Sequence, residues 1–373
     1  MKILHIIPWG NGGIASLVKK LVKHQPSEFQ SSVALFSCSD EFRKEIESFN
    51  SEISILNSLG KYGLFKYIQR IAQVIRLENC DVIHIHLVHK SYLAVIIAKI
   101  MGVEIIACHA HAANFGKKHN VFNIIELLIN RLCIKLFCNK LYTCSDLATD
   151  FLFGKNMRPI LIKNAVNESV FLRKNETFYK SLRNVYSSQN DELLLLHVGQ
   201  FSYAKNHEYL ICVCKELKFR KIKHKVLLAG TGIREDFIKE LVRKFNLEDS
   251  VIFMGFVSNV DDLLNIADVF LFPSHFEGLP TVIVEAQACG LPSILSNTIT
   301  QQCDLGLGLL HFESIESHPS AWVERILLHN RKVCTPIDES RIKNTVIEKG
   351  FTAKEVASAY YDDLKGSISL WVK

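Results

Sequence analysis

The sequence predicts an α/β protein built from two doubly wound parallel sheets. Its 373 residues are enough for two domains at roughly 150 residues each. Short, continuously apolar segments alternate with helix-like stretches, a pattern typical of parallel strands that are covered on both faces. A polar stretch near the middle interrupts this alternation, which then resumes.

The first half contains seven candidate strands, with helical patterns such as 64–77 and 121–138 between them. These strands are 3–7, 33–36, 53–56, 82–85, 104–108, 141–144 and 160–162. The second half contains five more, at 193–198, 226–229, 251–253, 269–272 and 293–295. Ligands of such sheets bind beyond the carboxyl ends of the strands, so the loops there are expected to carry the chemistry.

The polar stretch 164–192 is predicted to connect the two domains. We therefore expect an N-terminal domain over 1–175 and a C-terminal domain over 176–350. The last segment, 351–373, contains a helical pattern and is expected to pack back toward the N-terminal domain.

The formal net charge of +6 is unevenly distributed. Residues 1–174 carry 22 Lys and Arg against 13 Asp and Glu, whereas residues 175–373 carry 22 against 25. A basic half suits an anionic partner, although charge alone equally indicates a solvated face. No apolar run approaches the roughly 18 residues of a membrane span, and no signal peptide is recognisable, so a cytoplasmic protein is expected.

Two features of the first domain follow predicted strands. The loop 10–13, Gly-Asn-Gly-Gly, precedes a helix expected to start near Ile14, and Gly12 or Gly13 would allow close approach of an anion. His109 and His111 follow the strand 104–108 and would point to the same side. They could hydrogen-bond a ligand or serve as structural histidines. A metal site there is disfavoured, because no third ligand lies at a matching spacing and His84 and His86 belong to another strand.

Two features of the second domain also lie after strands. Lys205 is at a loop-to-helix junction in the segment VGQFSYAKNH, a suitable place for a cation that binds a diphosphate. The turn Ala-Gly-Thr-Gly at 229–232, which contains Gly230, fits a phosphate contact or a plain turn equally well.

The most specific pattern is the segment PSHFEGLPTVIVEAQACGLP at 273–292. Glu277 and Glu285 are separated by seven residues, and Pro280 suits the first turn of the helix between them. The backbone N–H groups of Leu279, Thr281 and Val282 open that helix and could bind a phosphate, whereas Pro280 has none. Two carboxylates around a helix N-terminus suit a nucleotide sugar.

These motifs resemble those of the family 4 retaining glycosyltransferases, which have the GT-B fold of two Rossmann-like domains facing a central cleft. The resemblance covers nearly the whole chain, and its signature is the Glu-x7-Glu element at 277–285. Further landmarks in order are the early Gly-Gly, HAHA, CSDLATDFLFG, NAVNESVF, VGQF with KNH, the Gly-x-Gly turn, MGF and IADVFLFPS. The nearest similarity is to bacterial enzymes of capsule, exopolysaccharide and O-antigen synthesis.

The resemblance implies a role for each matching position. Glu277, next to Gly278, would contact the transferred sugar, Glu285 the ribose, and Lys205 the diphosphate. His109 or His111 would touch the sugar. The backbone near Phe256 and Val257 would meet the base. Donor binding would further involve the following residues: Gly12, Gly13, Gln200, Gly230, Leu279, Thr281 and Val282.

The chain departs from the family at Gln200, where Arg is usual. Glutamine carries no charge, so Lys205 and backbone amides, or another cation, would have to balance the leaving diphosphate. No DxD-type motif is present in a suitable loop. The resemblance therefore implies a hexosyltransferase that uses no cofactor and no metal.

The segment 116–140 mixes basic and apolar residues and is expected to bind the acceptor. Its basic residues, Lys117, Lys118, Arg131, Lys135 and Lys140, could meet anionic lipid headgroups, or the segment could be an ordinary buried helix. The family implies a saccharide or polyprenyl-diphosphate-linked acceptor and peripheral attachment to the inner face of the plasma membrane. Nucleic acid is not an expected partner.

Two other functions remain open. A nucleotide-sugar epimerase of the same fold would need acid and base groups on both faces of the sugar, and only the histidine pair is available. A non-catalytic nucleotide-sugar-binding subunit of a polysaccharide assembly complex is compatible with Gln200. A dinucleotide oxidoreductase is disfavoured because loop 10–13 does not fit Gly-x-Gly-x-x-Gly.

Overall fold

A computed structural model describes residues 1–88, 90–113, 121–166, 174–187 and 191–368. The chain forms two compact units. Unit 1 comprises Met1–Ala165 together with the segment that starts at Gly350, and unit 2 comprises Val166–Lys349. The first boundary thus lies about ten residues before the predicted one at 175.

Unit 1 is a seven-stranded parallel sheet of order β3-β2-β1-β4-β5-β6-β7. Its elements are β1 (Lys2–Trp9), α1 (Gly12–Lys23), β2 (Gln30–Ser37), α2 (Asp40–Ser48), β3 (Ile53–Ile55), α3 (Leu59–Glu78), β4 (Val82–Ile85), α4 (Ser91–Ile100), β5 (Ile105–Ala110), α5 (Val121–Phe137), β6 (Lys140–Thr143), α6 (Asp146–Leu152), β7 (Ile160–Leu161) and, from the end of the chain, α14 (Ala353–Ile368).

Helix α14 completes the core of unit 1. Tyr360 and Tyr361 are fully buried, and the Tyr361 hydroxyl donates to the Leu21 carbonyl of α1 at 3.0 Å. Asp363 accepts from Lys140 Nζ at 2.8 Å and from the Tyr142 hydroxyl at 2.7 Å, both on β6. The last helix is therefore joined to unit 1 by apolar packing and by partly buried charge.

Unit 2 is a six-stranded parallel sheet of order β10-β9-β8-β11-β12-β13. Its elements are α7 (Glu176–Tyr186), β8 (Leu193–Val198), α8 (His207–Phe219), β9 (His224–Ala229), α9 (Glu235–Lys244), β10 (Val251–Gly255), α10 (Val260–Ile266), β11 (Val269–Phe272), α11 (Thr281–Ala288), β12 (Ser293–Ser296), β13 (Leu310–Glu313), α12 (Pro319–Leu328) and α13 (Glu339–Glu348). Its core includes Leu195, Leu210, Val226 and Trp322.

The predicted connection 164–192 contains the helix α7, which the sequence analysis did not identify. Asn175 caps α7 by accepting from the Phe178 N–H at 2.8 Å. Arg183 of α7 pairs with Asp268 at 2.7 Å, and Asp268 is nearly buried beside β8. This ion pair joins α7 to the residue that precedes β11. Parts of the connection, at 167–173 and 188–190, lie outside the described residues.

Each of the twelve predicted strands corresponds to a strand, and β13 was missed. Two boundaries matter for the site. Strand β5 extends to Ala110, so His109 lies inside the strand instead of after it. Helix α1 begins at Gly12, two residues before the predicted Ile14. Among the described helices, none combines the length and the apolar character that crossing a bilayer requires.

Candidate functional site

The strand order of unit 2 places one pair of loops at the centre of its sheet. The order runs outward in one direction from β8 to β10 and in the other from β11 to β13. The loops after β8 and β11 therefore diverge at the switch point, where doubly wound sheets bind ligands. Lys205 follows β8 and Glu277 follows β11.

The structure brings Lys205 and Glu277 into an ion pair. Lys205 Nζ lies 2.7 Å from Glu277 Oε1, and each side chain is 17% exposed. The ammonium also lies 4.5 Å from the centre of the Phe272 ring. An opposite charge pair that remains partly open to solvent can exchange its internal contact for a charged ligand.

Contacts between the two loops fix the positions of these charges. The His275 N–H donates to the Ala204 carbonyl at 2.8 Å. The Tyr203 and His275 rings stack with centroids 4.5 Å apart at an angle of 15°. Lys205 itself ends a short 3-10 turn, Tyr203–Lys205, so both loops are ordered by neighbours one or two residues away.

Helix α11 opens beside Glu277, with Pro280 at its N-cap. The prediction that Pro280 lies within the first turn was therefore wrong by one position. The first N–H groups of a helix have no intrahelical acceptor, and Thr281 and Val282 provide two of them. Leu279 is nearly buried, whereas Glu285 lies one turn further along and is half-buried.

The glycines after β9 serve close packing of two loops. A Cβ at Gly230 would lie 2.1 Å from the Gly199 carbonyl oxygen, and φ at Gly230 is +143°. A Cβ at Gly232 would lie 2.5 Å from the Phe201 carbonyl oxygen. The sequence allowed either a phosphate contact or a plain turn here. The close packing of the two loops gives a structural reason for the glycines.

Arg234 is a cation near the switch point that sequence reasoning missed. It follows the glycine turn after β9 and pairs with Glu208 at the start of α8. The positive charges of Lys205 and Arg234 both act on His207, and with burial as the main cause they lower the pKa of His207 to about 2. Gln200 follows the neighbouring strand β8, and the Arg234 N–H donates to the carbonyl of the next residue, Phe201, at 3.1 Å, so the Arg234 backbone lies close to the place of the missing arginine. No sequence motif marked it, because it lies on a different strand's loop.

The edge of this sheet carries the predicted base-binding backbone. Phe256 and Val257 follow β10, the outermost strand next to β9. The Phe256 side chain is 74% exposed. The backbone there lies at the same carboxyl edge as Lys205, two strands away.

In unit 1, the predicted glycine loop also lies at the carboxyl edge. Gly12 and Gly13 begin α1 after β1 and are exposed, and no atom lies within 4 Å of a Cβ built on either. The loop therefore leaves space for a ligand at a helix N-terminus.

The two histidines of unit 1 differ in access. His109 is fully buried, whereas His111 is partly exposed, and their rings stack with centroids 4.0 Å apart. Of the two alternatives for a sugar contact, burial favours His111 over His109, because β5 continues to Ala110 and His109 lies in the core. Burial lowers the pKa of His111 to about 3 and that of His109 well below its usual value.

Helix α5 does not fit the alternative of an ordinary buried helix. Asn130, Cys133 and Ile134 face the core, where Asn130 accepts from Ser91 Oγ at 2.9 Å. Eight large apolar residues are exposed instead: Val121, Phe122, Ile124, Ile125, Leu128, Ile129, Leu132 and Leu136. An exposed apolar surface of this extent marks an interaction site.

The predicted basic residues of this region have different roles. Lys140 is paired with Asp363, and Arg131 donates to the Asp150 and Phe151 carbonyls at 2.8 and 2.9 Å. Both side chains are therefore engaged within the protein, and neither is available to meet lipid headgroups. Lys135 is exposed. Lys117 and Lys118 lie outside the described residues.

Comparisons with known proteins agree with this geometry. The family model for "Glycosyl transferases group 1" matches residues 179–305. The putative glycosyltransferase EpsF of Bacillus subtilis is 30% identical over 371 residues, 96% of this chain and 94% of its own.

Two further similarities extend the comparison. An N-acetylgalactosaminyltransferase of Campylobacter jejuni, named for a diphospho-undecaprenol-linked acceptor, is 25% identical over 303 residues, 77% of this chain and 78% of its own. The crystal structure of Anabaena HepE in complex with UDP aligns with a TM-score of 0.76 at 17% identity, covering 98% of this chain and all of that one. The latter shows the shared GT-B fold.

Proposed function

This chain belongs to the group 1 glycosyltransferases, related to bacterial enzymes of surface polysaccharide synthesis, and we propose that it transfers a hexose from a UDP-sugar with retention of configuration. The observation that carries the proposal is the Lys205–Glu277 pair at the switch point of unit 2. It joins a cation for the diphosphate to a carboxylate for the sugar in one place.

The donor would replace the internal ion pair with its own charges. Lys205 would bind the diphosphate, together with the N–H groups of Thr281 and Val282 at the start of α11. Glu277 would then accept from the sugar hydroxyls and stabilise the oxocarbenium-like transition state. Glu285 would hold the ribose hydroxyls, and the backbone at Val257 would meet the base.

In the reaction, the bond between the anomeric carbon and the diphosphate oxygen breaks while the acceptor hydroxyl attacks from the same face. Attack on the same face retains the configuration, and the acceptor proton passes to the departing diphosphate, so the charges balance. Lys205 and the helix N–H groups lower the barrier by stabilising the charge on the leaving group. This scheme requires no metal, which stays a proposal.

Arg234 would supply the positive charge that Gln200 lacks. Its guanidinium already acts electrostatically on the same histidine as Lys205. Arg234→Ala should weaken UDP binding, and Gln200→Arg in that background should restore it. Isothermal titration with UDP tests both variants, and a Gln200→Arg change that restores nothing would contradict this compensation.

Release of UDP in the presence of acceptor extract tests the transferase itself. Glu277→Gln should reduce release by about 10²-fold or more, since a group aimed at transition-state charge is lost. Glu248→Gln, at an exposed glutamate of the same unit, is the matched control and should keep full release.

The same assay separates the alternatives. Conversion of the donor into another UDP-sugar, without consumption of the acceptor, indicates an epimerase. UDP binding with no turnover indicates a non-catalytic subunit. A thermal-shift comparison of UDP- and GDP-sugars tests the choice of nucleotide, because a ligand that binds only the native state raises its melting temperature.

For the acceptor, we propose a lipid-linked saccharide that is reached at an anionic membrane surface through α5. The eight exposed apolar side chains of α5 would enter the headgroup region, with exposed Lys135 beside them. The name of the Campylobacter relative, which includes a diphospho-undecaprenol acceptor, supports this class of acceptor.

Vesicle co-sedimentation tests this surface. Leu128→Asp with Leu132→Asp should reduce binding to vesicles rich in phosphatidylglycerol by about 10-fold or more. Leu328→Asp, which changes an equally exposed leucine of α12 in unit 2, should leave binding unchanged. Equal losses in both proteins would contradict a specific role of α5.

A further inference from the structure

Five histidines lie together at the centre of the unit 1 sheet, and we call them the histidine cluster: His5, His84, His86, His109 and His111. The register of the parallel strands explains why the five rings lie close together. His5 of β1 is the partner of His84 of β4, and Ile85 of β4 is the partner of Cys108 of β5. His86 therefore reaches the level of His109, and His111 follows one side-chain repeat further on.

The ring nitrogens are close enough to share an ion. His86 Nδ1 lies 2.9 Å from His111 Nε2, and His5 Nδ1 lies 3.3 Å from His86 Nε2. In the trio His86, His109 and His111, one nitrogen of each ring lies within 4.8 Å of the others. Three imidazoles around a tetrahedral zinc ion would place their nitrogens about 3.3 Å apart, so small ring movements suffice.

Several polar nitrogens of the cluster are buried without a hydrogen-bond partner. Both ring nitrogens of His84 and of His109, and Nε2 of His5, are in this condition. The Ile162 carbonyl faces His109 and acts on its pKa, but outside hydrogen-bond geometry. Burying a polar group without a hydrogen-bond partner is energetically costly, so a cluster of such groups points to a missing partner.

We propose that His86, His109 and His111 bind one divalent transition-metal ion, with Zn²⁺ as the best match. Imidazole nitrogens are preferred ligands of zinc, copper and nickel, and the trio offers no carboxylate that would favour magnesium or calcium. The metal is proposed for unit 1 only, and it has no part in the diphosphate binding proposed for unit 2.

The surroundings suit ligating histidines. If His86 binds the ion through Nδ1, its Nε2–H can donate to His5 Nδ1, 3.3 Å away. A small movement of the ring would let the second nitrogen of His109 donate to the Ile162 carbonyl, which already acts on its pKa. Such outer partners fix the tautomer and orientation of metal-binding histidines.

Access favours this trio over the inner trio of His5, His84 and His86. All three inner rings are fully buried, and Tyr360 stacks on His84 with centroids 5.0 Å apart. His111 is partly exposed, which provides an entry path and an open fourth position for water or another small ligand.

Metal binding to the full chain tests the proposal directly. After treatment with a chelator, the protein should bind one Zn²⁺ per chain by calorimetry and elemental analysis. His111→Ala should weaken binding by 100-fold or more while circular dichroism shows an unchanged fold. His329→Ala is the matched control, because the rings of His329 and His311 in unit 2 also stack, with centroids 3.5 Å apart.

Cobalt substitution tests the ligands in the unaltered chain. Bound Co²⁺ should give the intense visible bands of four-coordinate nitrogen ligation without the near-ultraviolet band of cobalt thiolates, which excludes the eleven cysteines. The proposal is overturned if the folded chain binds no stoichiometric Zn²⁺ or Co²⁺. It is also overturned if binding survives His111→Ala, as the inner trio would allow, or is lost in His329→Ala. None of these results depends on glycosyl transfer.

Discussion

The two sheets share the strand order 3-2-1-4-5-6, which unit 1 extends by a seventh strand, but different side chains lie at their switch points. In unit 1, the loops and strands around β1 and β4 hold buried histidines, and in unit 2 the loops after β8 and β11 hold the Lys205–Glu277 ion pair. The strand order 3-2-1-4-5-6 thus determines where a site can be, whereas individual side chains determine what it can bind.

The glycine-rich loops show the same contrast. Gly12 and Gly13 after β1 leave open space, whereas Gly230 and Gly232 after β9 are filled by the neighbouring loop. A glycine turn after a strand is therefore compatible with a ligand contact in one unit and with internal packing in the other.

The largest expected effect concerns the ion pair of unit 2. Lys205→Met should lower kcat for UDP release by about 10²–10³-fold, because the charge on the leaving diphosphate loses its cation. Lys239→Met is the control, since Lys239 also lies 2.7 Å from a glutamate, Glu235, but on the outer helix α9. Steady-state kinetics of both variants measure the difference, and equal losses would remove the special role of the switch point.

The next effect compares the two glycine loops. Gly230→Ala should destabilise the protein by about 2–4 kcal/mol, from backbone strain and from contact with the Gly199 carbonyl. For a unit of this size, the melting temperature should fall by roughly 4–16 °C.

The matching change in unit 1 should have the opposite sign. Gly13→Ala adds a methyl group in open space within the first turn of α1, and it should stabilise that helix by up to about 1 kcal/mol. Differential scanning calorimetry of both variants tests the contrast. A Gly230→Ala protein as stable as the parent would mean that the two loops are not tightly packed.

The smallest effect concerns buried histidines in unit 2. Burial lowers the pKa of His207 to about 2 and that of His197 to about 4, against about 6.5 in the unfolded chain. At pH values between the folded and unfolded pKa, the unfolded chain binds more protons than the folded chain. The free energy of unfolding is therefore highest above pH 6.5 and declines as the pH falls. The decline is about 1.4 kcal/mol per pH unit for each histidine.

His207→Gln should therefore reduce the decline in the free energy of unfolding by about 1.4 kcal/mol per pH unit, the contribution of one histidine. Urea titrations between pH 7.5 and 5 measure the free energy of unfolding at each pH. An unchanged slope in the variant would show that His207 becomes protonated without unfolding of unit 2.

The amino-acid sequence determined the two parallel sheets and the central elements of the proposed donor site. Continuous apolar strands can be recognised locally, and so can Lys205, Glu277 and Glu285, because each lies in a loop or helix directly after such a strand. The sequence also located α5, since its helical periodicity is local.

The tertiary structure decided what depends on neighbours distant in the chain. Strand register brought five histidines from three strands together, although their spacing in the sequence gave no third ligand for the pair at 109 and 111. Packing within unit 1 covered one face of α5 and left the other exposed, and the Asp268 carboxylate holds α7 through its ion pair with Arg183. Arg234 reached the region of Gln200 from a different loop. Local patterns encode elements, but contacts between elements arise from long-range packing, and no single segment contains them.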